Sequence, residues 1–368
     1  MAYIEIDDEV DDSVEVSDDE IVEESSGSYV LHHGEALAWL RSLSDGYADA
    51  LVTDPPAGIA FMGKGWDRDK GGRTAWVAWL AEILREALRV LKPGAAGFVW
   101  ALPRTSHWTA TACEDAGFEV RDVVTHVQGQ GFPKSKALLK PASEHWVLVR
   151  APGPLRPLRI DDCRVPAPGG LTSGGRCVGE SALPMNKVAG AAENRERSAE
   201  HPAGRWPANF AMSHGACDSD ACEADCPVRL LGEQSGVRAH GVRRFKVKGR
   251  SGGILGSEGG DRDYVGGYAD TGTAARFFPC FYQPKASKRD RGEGNNHPTV
   301  KSVALMRWLV RLVCPVGGLV LDPFTGSGST GVAALAEGLR FAGCEREAEY
   351  VQIARARLDK ALLLELGD

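Results

Sequence analysis

Leu319-Val320-Leu321-Asp322-Pro323-Phe324-Thr325-Gly326-Ser327-Gly328-Ser329-Thr330 is the run whose reading decides the fold. Its apolar start reads as a buried strand, and a helix is expected from Ser329 onward. Between them, Gly326 and Gly328 let the backbone turn sharply and approach a ligand closely. Counted with Gly331, they satisfy the dinucleotide spacing G-x-G-x-x-G, which is a weak match by itself. Asp322-Pro323-Phe324 is foreign to that fingerprint and points to a different nucleoside. No Gly-Lys-Ser/Thr follows, which excludes a phosphate loop. The next strand ends at Phe341-Ala342-Gly343-Cys344-Glu345. An acid about 20 residues past a glycine turn is where a ribose hydroxyl pair would be held, because a carboxylate accepts from a diol.

Working outward, strands and helices alternate on both sides of a long irregular stretch. The periodicity predicts strands near 29–33, 50–53, 96–102, 118–127 and 145–149, with helices over 35–43, 74–91 and 106–116. It predicts further helices over 300–313, 329–337 and 347–364, with strands at 318–322 and 340–345. Residues 151 to about 295 are rich in Gly, Pro, Ser and Arg and read as an irregular insertion outside the core layers. Such alternation implies an α/β fold with a doubly wound sheet. Thr53-Asp54-Pro55-Pro56-Ala57 ends the second strand abruptly. Two prolines can neither continue the strand nor begin a regular helix, so Asp54 is expected at a strand's carboxyl end.

The 368 residues are 43% hydrophobic, ordinary for a globular chain. No apolar run is long enough to span a bilayer and no signal peptide opens the sequence, so a cytoplasmic location is expected. The net charge of -7 conceals an asymmetry. Residues 1–24 hold twelve acids and no Lys or Arg, which leaves 43 basic against 38 acidic residues in the body. Residues 1–27 are therefore expected to be a disordered acidic tail, and the mildly basic body suits a polyanionic partner. Nine cysteines in such a chain suggest thiols or a metal site more than disulfides.

Taken together, the Asp54-Pro55-Pro56 corner and the Phe324-x-Gly326-x-Gly328 bend resemble the amino-methyltransferase family of DNA enzymes, which act on adenine N6 or cytosine N4. The order, catalytic motif first and cofactor motif near the C-terminus, is similar to that of the beta class. Asn296-His297-Pro298-Thr299-Val300-Lys301 resembles the segment that precedes the cofactor strand in this class. Gly131-Phe132-Pro133-Lys134-Ser135, Arg276-Phe277-Phe278 and Lys285-Ala286-Ser287-Lys288 resemble phage and prophage members. The likeness covers roughly residues 28–150 and 275–362. It implies a Rossmann-like methyltransferase sheet divided into a catalytic half (28–150), a target recognition insertion (151–275) and a cofactor half (276–368). S-adenosylmethionine is the implied cofactor, with Asp322, Phe324, Gly326, Gly328, Glu345, Thr299 and Lys301 as its binding residues. Double-stranded DNA is the implied partner, and a homodimer the implied assembly.

The implied chemistry explains the residue types. A base's exocyclic amine is a poor nucleophile because its lone pair is conjugated with the ring. Asp54 can accept one N–H and a carbonyl of the Pro55-Pro56 turn the other, which draws nitrogen toward a pyramidal geometry. The rest is positioning and electrostatics, once the base has left the helix. Asp at position 54 favours adenine N6, with cytosine N4 open. One departure is Ala57, where the family carries an aromatic residue that stacks on the base; Phe61 or Trp66 is expected to supply the ring. An inactive DNA-binding relative is the alternative that Ala57 leaves open, and an RNA or protein-glutamine methyltransferase is a third. Within the insertion, Arg243, Arg244, Lys246 and Lys248 form a basic run suited to phosphates. His214, Cys217, Cys222 and Cys226 could supply four ligands to structural zinc.

Overall fold

The run Leu319–Asp322 is buried at all four positions, as a strand covered on both faces must be. In the computed structural model it lies inside a ten-stranded sheet. The described residues are 21–23, 27–59, 63–68, 70–129, 136–137, 139–167, 204–215, 217, 222–240, 243–247, 262–266, 270–282, 291 and 294–365. In chain order the elements are β1 (Ile21–Glu23), β2 (Tyr29–His33), α1 (Ala36–Ser42), β3 (Ala48–Thr53), α2 (Arg73–Val90), β4 (Leu91–Ala101), α3 (Ser106–Ala116), β5 (Glu119–Val127) and β6 (Ser143–Arg150). There follow β7 (Phe210–Ser213), α4 (Pro227–Ser235), β8 (Arg238–His240), β9 (Arg243–Val247), β10 (Arg262–Gly266), β11 (Asp270–Gly272) and β12 (Cys280–Phe281). The chain ends with α5 (Val303–Val313), β13 (Leu319–Asp322), α6 (Ser329–Leu335), β14 (Arg340–Glu345) and α7 (Ala348–Glu365).

The sheet order is β1-β2-β14-β13-β3-β4-β6-β5-β7-β12. Strands β2, β14, β13, β3 and β4 run parallel, and β6 is antiparallel to both β4 and β5. Alternation along each strand divides the core in two. Leu51, Val99, Val147 and Leu321 face α1, α2 and α3. Ala50, Val52, Phe98, Trp146 and Val320 face α5, α6 and α7. This is the doubly wound α/β class read from the sequence. From β13 the chain crosses through α6 to β14, whereas from β3 it crosses through α2 to β4 on the other side. The carboxyl ends of β13 and β3 therefore flank the point where winding reverses, which is where such sheets open a crevice.

Three expectations need correction. Strand β4 begins at Leu91, not near 96, because Lys92 reaches Asp49 at 2.6 Å and a bulge accommodates Pro93-Gly94 before pairing with β3 resumes. The stretch 151–275 is not wholly outside the core: Phe210, Ala211 and Met212 pair in parallel with Thr125, His126 and Val127 and extend the sheet. Four residues were too few to show a period among the glycines and prolines around them. The acidic segment is not unstructured throughout, since Ile21–Glu23 pairs antiparallel with β2; Ile21 and Val22 are β-branched and suit a strand. Residues 1–20 lie outside the described residues. Among the described residues, no helix is long and apolar enough to cross a membrane.

Candidate active site

Strand β3 delivers Asp54 to the crevice, and β13 delivers the glycine bend beside it. The two ends are joined directly: the Thr53 hydroxyl donates to Asp322 Oδ1 at 2.7 Å, and the Phe324 N–H donates to the same oxygen at 3.1 Å. A cleft of about 300 Å³ opens over this junction, at the small end of ligand pockets. Asp54, Pro55, Pro56, Ala57 and Trp66 line it together with Asp322, Phe324, Gly326, Glu345, Thr299 and Lys301. Residues 269 positions apart in the chain are thus brought to one site.

The bend is built for close approach. Gly326 has φ +54°, and a Cβ there would stand 3.1 Å from His297 Nε2. The His297 ring props it from beneath, edge-on to Tyr350 at 4.4 Å and parallel to Trp66 at 6.2 Å. Burial, with Arg357 and Arg291 nearby, pushes the His297 imidazole down to about 4, so it is neutral at pH 7. Glu345 accepts the Gly326 N–H at 2.8 Å and the Glu347 N–H at 2.8 Å, and burial raises its carboxyl above the usual range. Gly328 differs from Gly326. It does not line the cleft, and a Cβ would press on Ala354 at 3.1 Å, so it serves packing of α6 against α7. Phe324 packs on Trp79 at 5.9 Å.

Asp54 is one end of a chain of buried polar and charged groups. Its side chain is 23% exposed, and Lys301 Nζ lies 3.2 Å from Oδ2. The same ammonium is 3.0 Å from Glu144 Oε2 and lies over the Trp100 ring at 4.1 Å. Glu144 also accepts from the Trp100 indole at 2.7 Å, and its other oxygen meets His126 Nδ1 at 2.8 Å. His126 Nε2 in turn meets the Ser213 hydroxyl at 2.7 Å. Burial pushes the Asp54 carboxyl up to about 6; Lys301 opposes that shift, and Glu144 and Asp67 add to it. Burial would raise Glu144 as well, but Lys301, His126 and Trp100 outweigh it and hold that carboxyl far below the usual range. Lys301 is raised, because Asp54 and Glu144 overcome its burial. Asp322 is pushed up to about 7 by burial, against the hydrogen bonds from Thr330, Thr53 and Phe324.

Sequence reasoning missed Glu144, His126, Trp100 and Trp79. A signal was present for the first two. Glu144 is in phase with Trp146 and Leu148, and His126 with Val124, so both sit on the apolar face of their strands, directly opposite each other. An acid on an apolar face demands a partner.

Phe61 and Lys248 lie outside the described residues, as do Gly131–Ser135 and Lys285–Lys288. Arg243, Arg244 and Lys246 fall on β9, which among the described residues forms with β10 a two-stranded sheet separate from the main one. His214, Cys217, Cys222 and Cys226 converge elsewhere, at the end of β7.

An Asp-Pro-Pro corner and a glycine bend thus meet in one crevice where the winding of the sheet reverses. Residues 48–356 match the N6_N4_Mtase family, described as DNA methylase, and the chain belongs to that family. A 69-residue stretch is 44% identical to the DNA adenine methyltransferase YhdJ of Escherichia coli K12, covering 19% of this chain and 24% of that protein. A 63-residue stretch is 46% identical to the Type II methyltransferase M2.DpnII of Streptococcus pneumoniae, covering 17% and 24%. The matched stretches thus span about a quarter of the length of these relatives. The crystal structure of the M1.HpyAVI–SAM complex is similar with a TM-score of 0.44 at 18% identity, covering 90% of this chain and 99% of that one.

Proposed function

We propose that the protein transfers a methyl group from S-adenosylmethionine to an exocyclic amino group of a DNA base, adenine N6 in first place. The observation that carries this is the single cleft holding the Asp54 carboxylate and the Gly326 bend, with Thr53 bonded to Asp322 between them. The donor set fits this cofactor: a backbone bend that a Cβ would fill, an acid at Glu345 and aromatic walls at Phe324 and Trp79. Glu345 and Asp322 are the acids suited to its hydroxyl and amino groups, and Phe324 to its adenine. When bound, the cofactor supplies an electrophilic methyl on a sulfonium.

The chain's own groups activate the acceptor. Asp54 takes one N–H of the base amine. The Pro56 carbonyl already accepts from the Trp76 indole at 3.2 Å, and the Pro55 carbonyl is proposed to take the second N–H. On methylation the nitrogen would give up a proton, and ionised Asp54 is the acceptor placed to take it. Lys301 is assigned to keeping that carboxylate ionised, since its ammonium is spent on Asp54 and Glu144. Adenine is favoured by Asp at position 54 and by likeness to a relative named for adenine.

Incubating the protein with labelled S-adenosylmethionine and DNA, RNA or protein separates the acceptors, and base analysis of the DNA separates N6-methyladenine from N4-methylcytosine. Label in RNA or protein alone refutes the reading. Trp66 is the ring we assign to the role that Ala57 cannot fill. Base–aromatic stacking contributes about 1–3 kcal/mol, so Trp66→Ala is expected to weaken base engagement by roughly 5- to 150-fold in single-turnover titrations. A normal rate would remove Trp66 from that role.

Residues 151–275 are proposed to contain the target recognition part, with the basic run Arg243, Arg244 and Lys246 of β9 as its candidates for binding phosphates. Arg243→Ala/Arg244→Ala is expected to flatten the fall of DNA affinity with salt by about two counterions. An unchanged slope would place the ribbon away from DNA.

A further inference from the structure

We propose that His214, Cys217, Cys222 and Cys226 bind one structural zinc ion. The four ligand atoms, one imidazole nitrogen and three thiol sulfurs, all lie within 4.8 Å of one another. His214 Nδ1 is 3.3 Å from Cys222 Sγ and 3.6 Å from Cys226 Sγ. Tetrahedral zinc, with bonds of about 2.1 Å to nitrogen and 2.3 Å to sulfur, sets neighbouring ligand atoms roughly 3.6–3.8 Å apart. The cluster therefore needs shifts of about an ångström or less to enclose the metal.

The surroundings are those of a ligand set already held in place. Tyr282 stacks on the His214 ring at 4.0 Å and 7°, which fixes its plane while Nδ1 faces the sulfurs. The Glu223 N–H donates to Cys217 Sγ at 3.3 Å, the kind of outer contact that orients a thiolate ligand. Cys226 is the residue that caps the N-terminus of α4, where the helix dipole favours a thiolate. Cys226 is wholly buried and His214 is 6% exposed, so no open coordination position faces solvent from that side. Four protein ligands with no vacancy make a closed, structural site rather than a catalytic one.

The position of the cluster gives the ion a task. His214 directly follows β7, and its N–H donates to the Phe281 carbonyl of β12 at 2.8 Å. Cys226 begins α4, which leads into β8 and so toward the basic ribbon. The ion would tie the last two strands at one edge of the sheet, β7 and β12, to helix α4, which precedes β8 and the ribbon in the chain. Neighbouring Ser213 is the far end of the chain Asp54–Lys301–Glu144–His126, so a loosened β7 would also withdraw a hydrogen bond from that chain. Binding of the metal does not depend on whether the cleft transfers methyl groups.

The full chain, purified without a polyhistidine tag or chelator from zinc-supplemented cells, is expected to hold about one zinc by elemental analysis. Adding an excess of a mercurial thiol reagent to this wild-type protein should release that zinc stoichiometrically. The cobalt-exchanged protein should show visible bands of tetrahedral, thiolate-rich coordination. Cys217→Ser and Cys226→Ser should each lose most of the metal. Chelation should lower the melting temperature of the wild type without moving that of a folded Cys217→Ser variant. Zinc well below one equivalent in the wild type, octahedral cobalt spectra, or a disulfide joining two of the three cysteines would each overturn the assignment.

Discussion

Asp54→Ala is expected to lower the rate of methyl transfer about 10²- to 10³-fold while leaving S-adenosylmethionine affinity nearly unchanged. The size follows from losing one preorganised electrostatic contact to the reacting group. The selectivity follows from the geometry, since Asp54 directly follows β3, while Asp322, Phe324, Gly326 and Glu345, assigned to the cofactor, belong to β13, the bend after it and β14. Folding should survive, because Lys301 keeps Glu144 at 3.0 Å and is not left as an unpaired buried charge. Single-turnover rates beside equilibrium cofactor binding check this. A variant that transfers methyl groups at the normal rate would sink the assignment of Asp54. Asp54→Asn should fall less, because an amide oxygen can still accept the amine hydrogen but cannot take up its proton.

The second large effect is a displaced pH profile. With the Asp54 carboxyl pushed up to about 6, and its ionised form the working one, activity should be present above pH 6 and decline as pH falls through it. Lys301→Met removes the opposing positive charge and leaves burial and Glu144 unanswered, both of which favour the protonated acid. A neighbouring opposite charge typically lowers a carboxyl by about 1–3 pH units, so the acid limb should climb by that amount. At pH 7 this corresponds to a loss of roughly twofold to a hundredfold, recovered at higher pH. Lys301→Arg keeps the charge and should keep the acid limb near its original place. Recovery in alkali separates a role in ionisation from a role in folding, because a misfolded variant stays inactive at every pH. A Lys301→Met profile superposable on the wild type would mean that Lys301 serves something else.

The architecture was legible where a residue's type constrains its backbone. Asp54-Pro55-Pro56 could only end a strand, and Gly326 and Gly328 could only mark a bend; both motifs stand where the winding reverses. Helices with a full apolar stripe, such as Arg73–Val90 and Val303–Val313, were found to within a few residues. What stayed hidden depended on partners far away in the chain. Strand β7 is four residues long and exists because β5 offers an edge to pair with. Glu144 shows in the sequence only as an acid on an apolar strand face, and its partner Lys301 stands 157 positions later in the chain. The motif assigns Lys301 to the cofactor, whereas its neighbours in the fold are two carboxylates and two indoles. The four metal candidates were readable as a group, but their irregular spacing said nothing of whether they would meet.

The order of the sheet also dictates how the molecule can be assembled. Strands β2 and β3 are consecutive in the chain, yet β14 and β13 lie between them. On the ribosome, the two emerge some 270 residues before the pair that must separate them. Early pairing of β2 with β3 would seal the gap and would have to be undone, so it is a kinetic trap built into the topology. Long-range insertion of this kind slows folding and leaves β-edges open to aggregation while it is pending. Synthesis rate, chaperone supply and growth temperature are therefore expected to affect the yield of active protein.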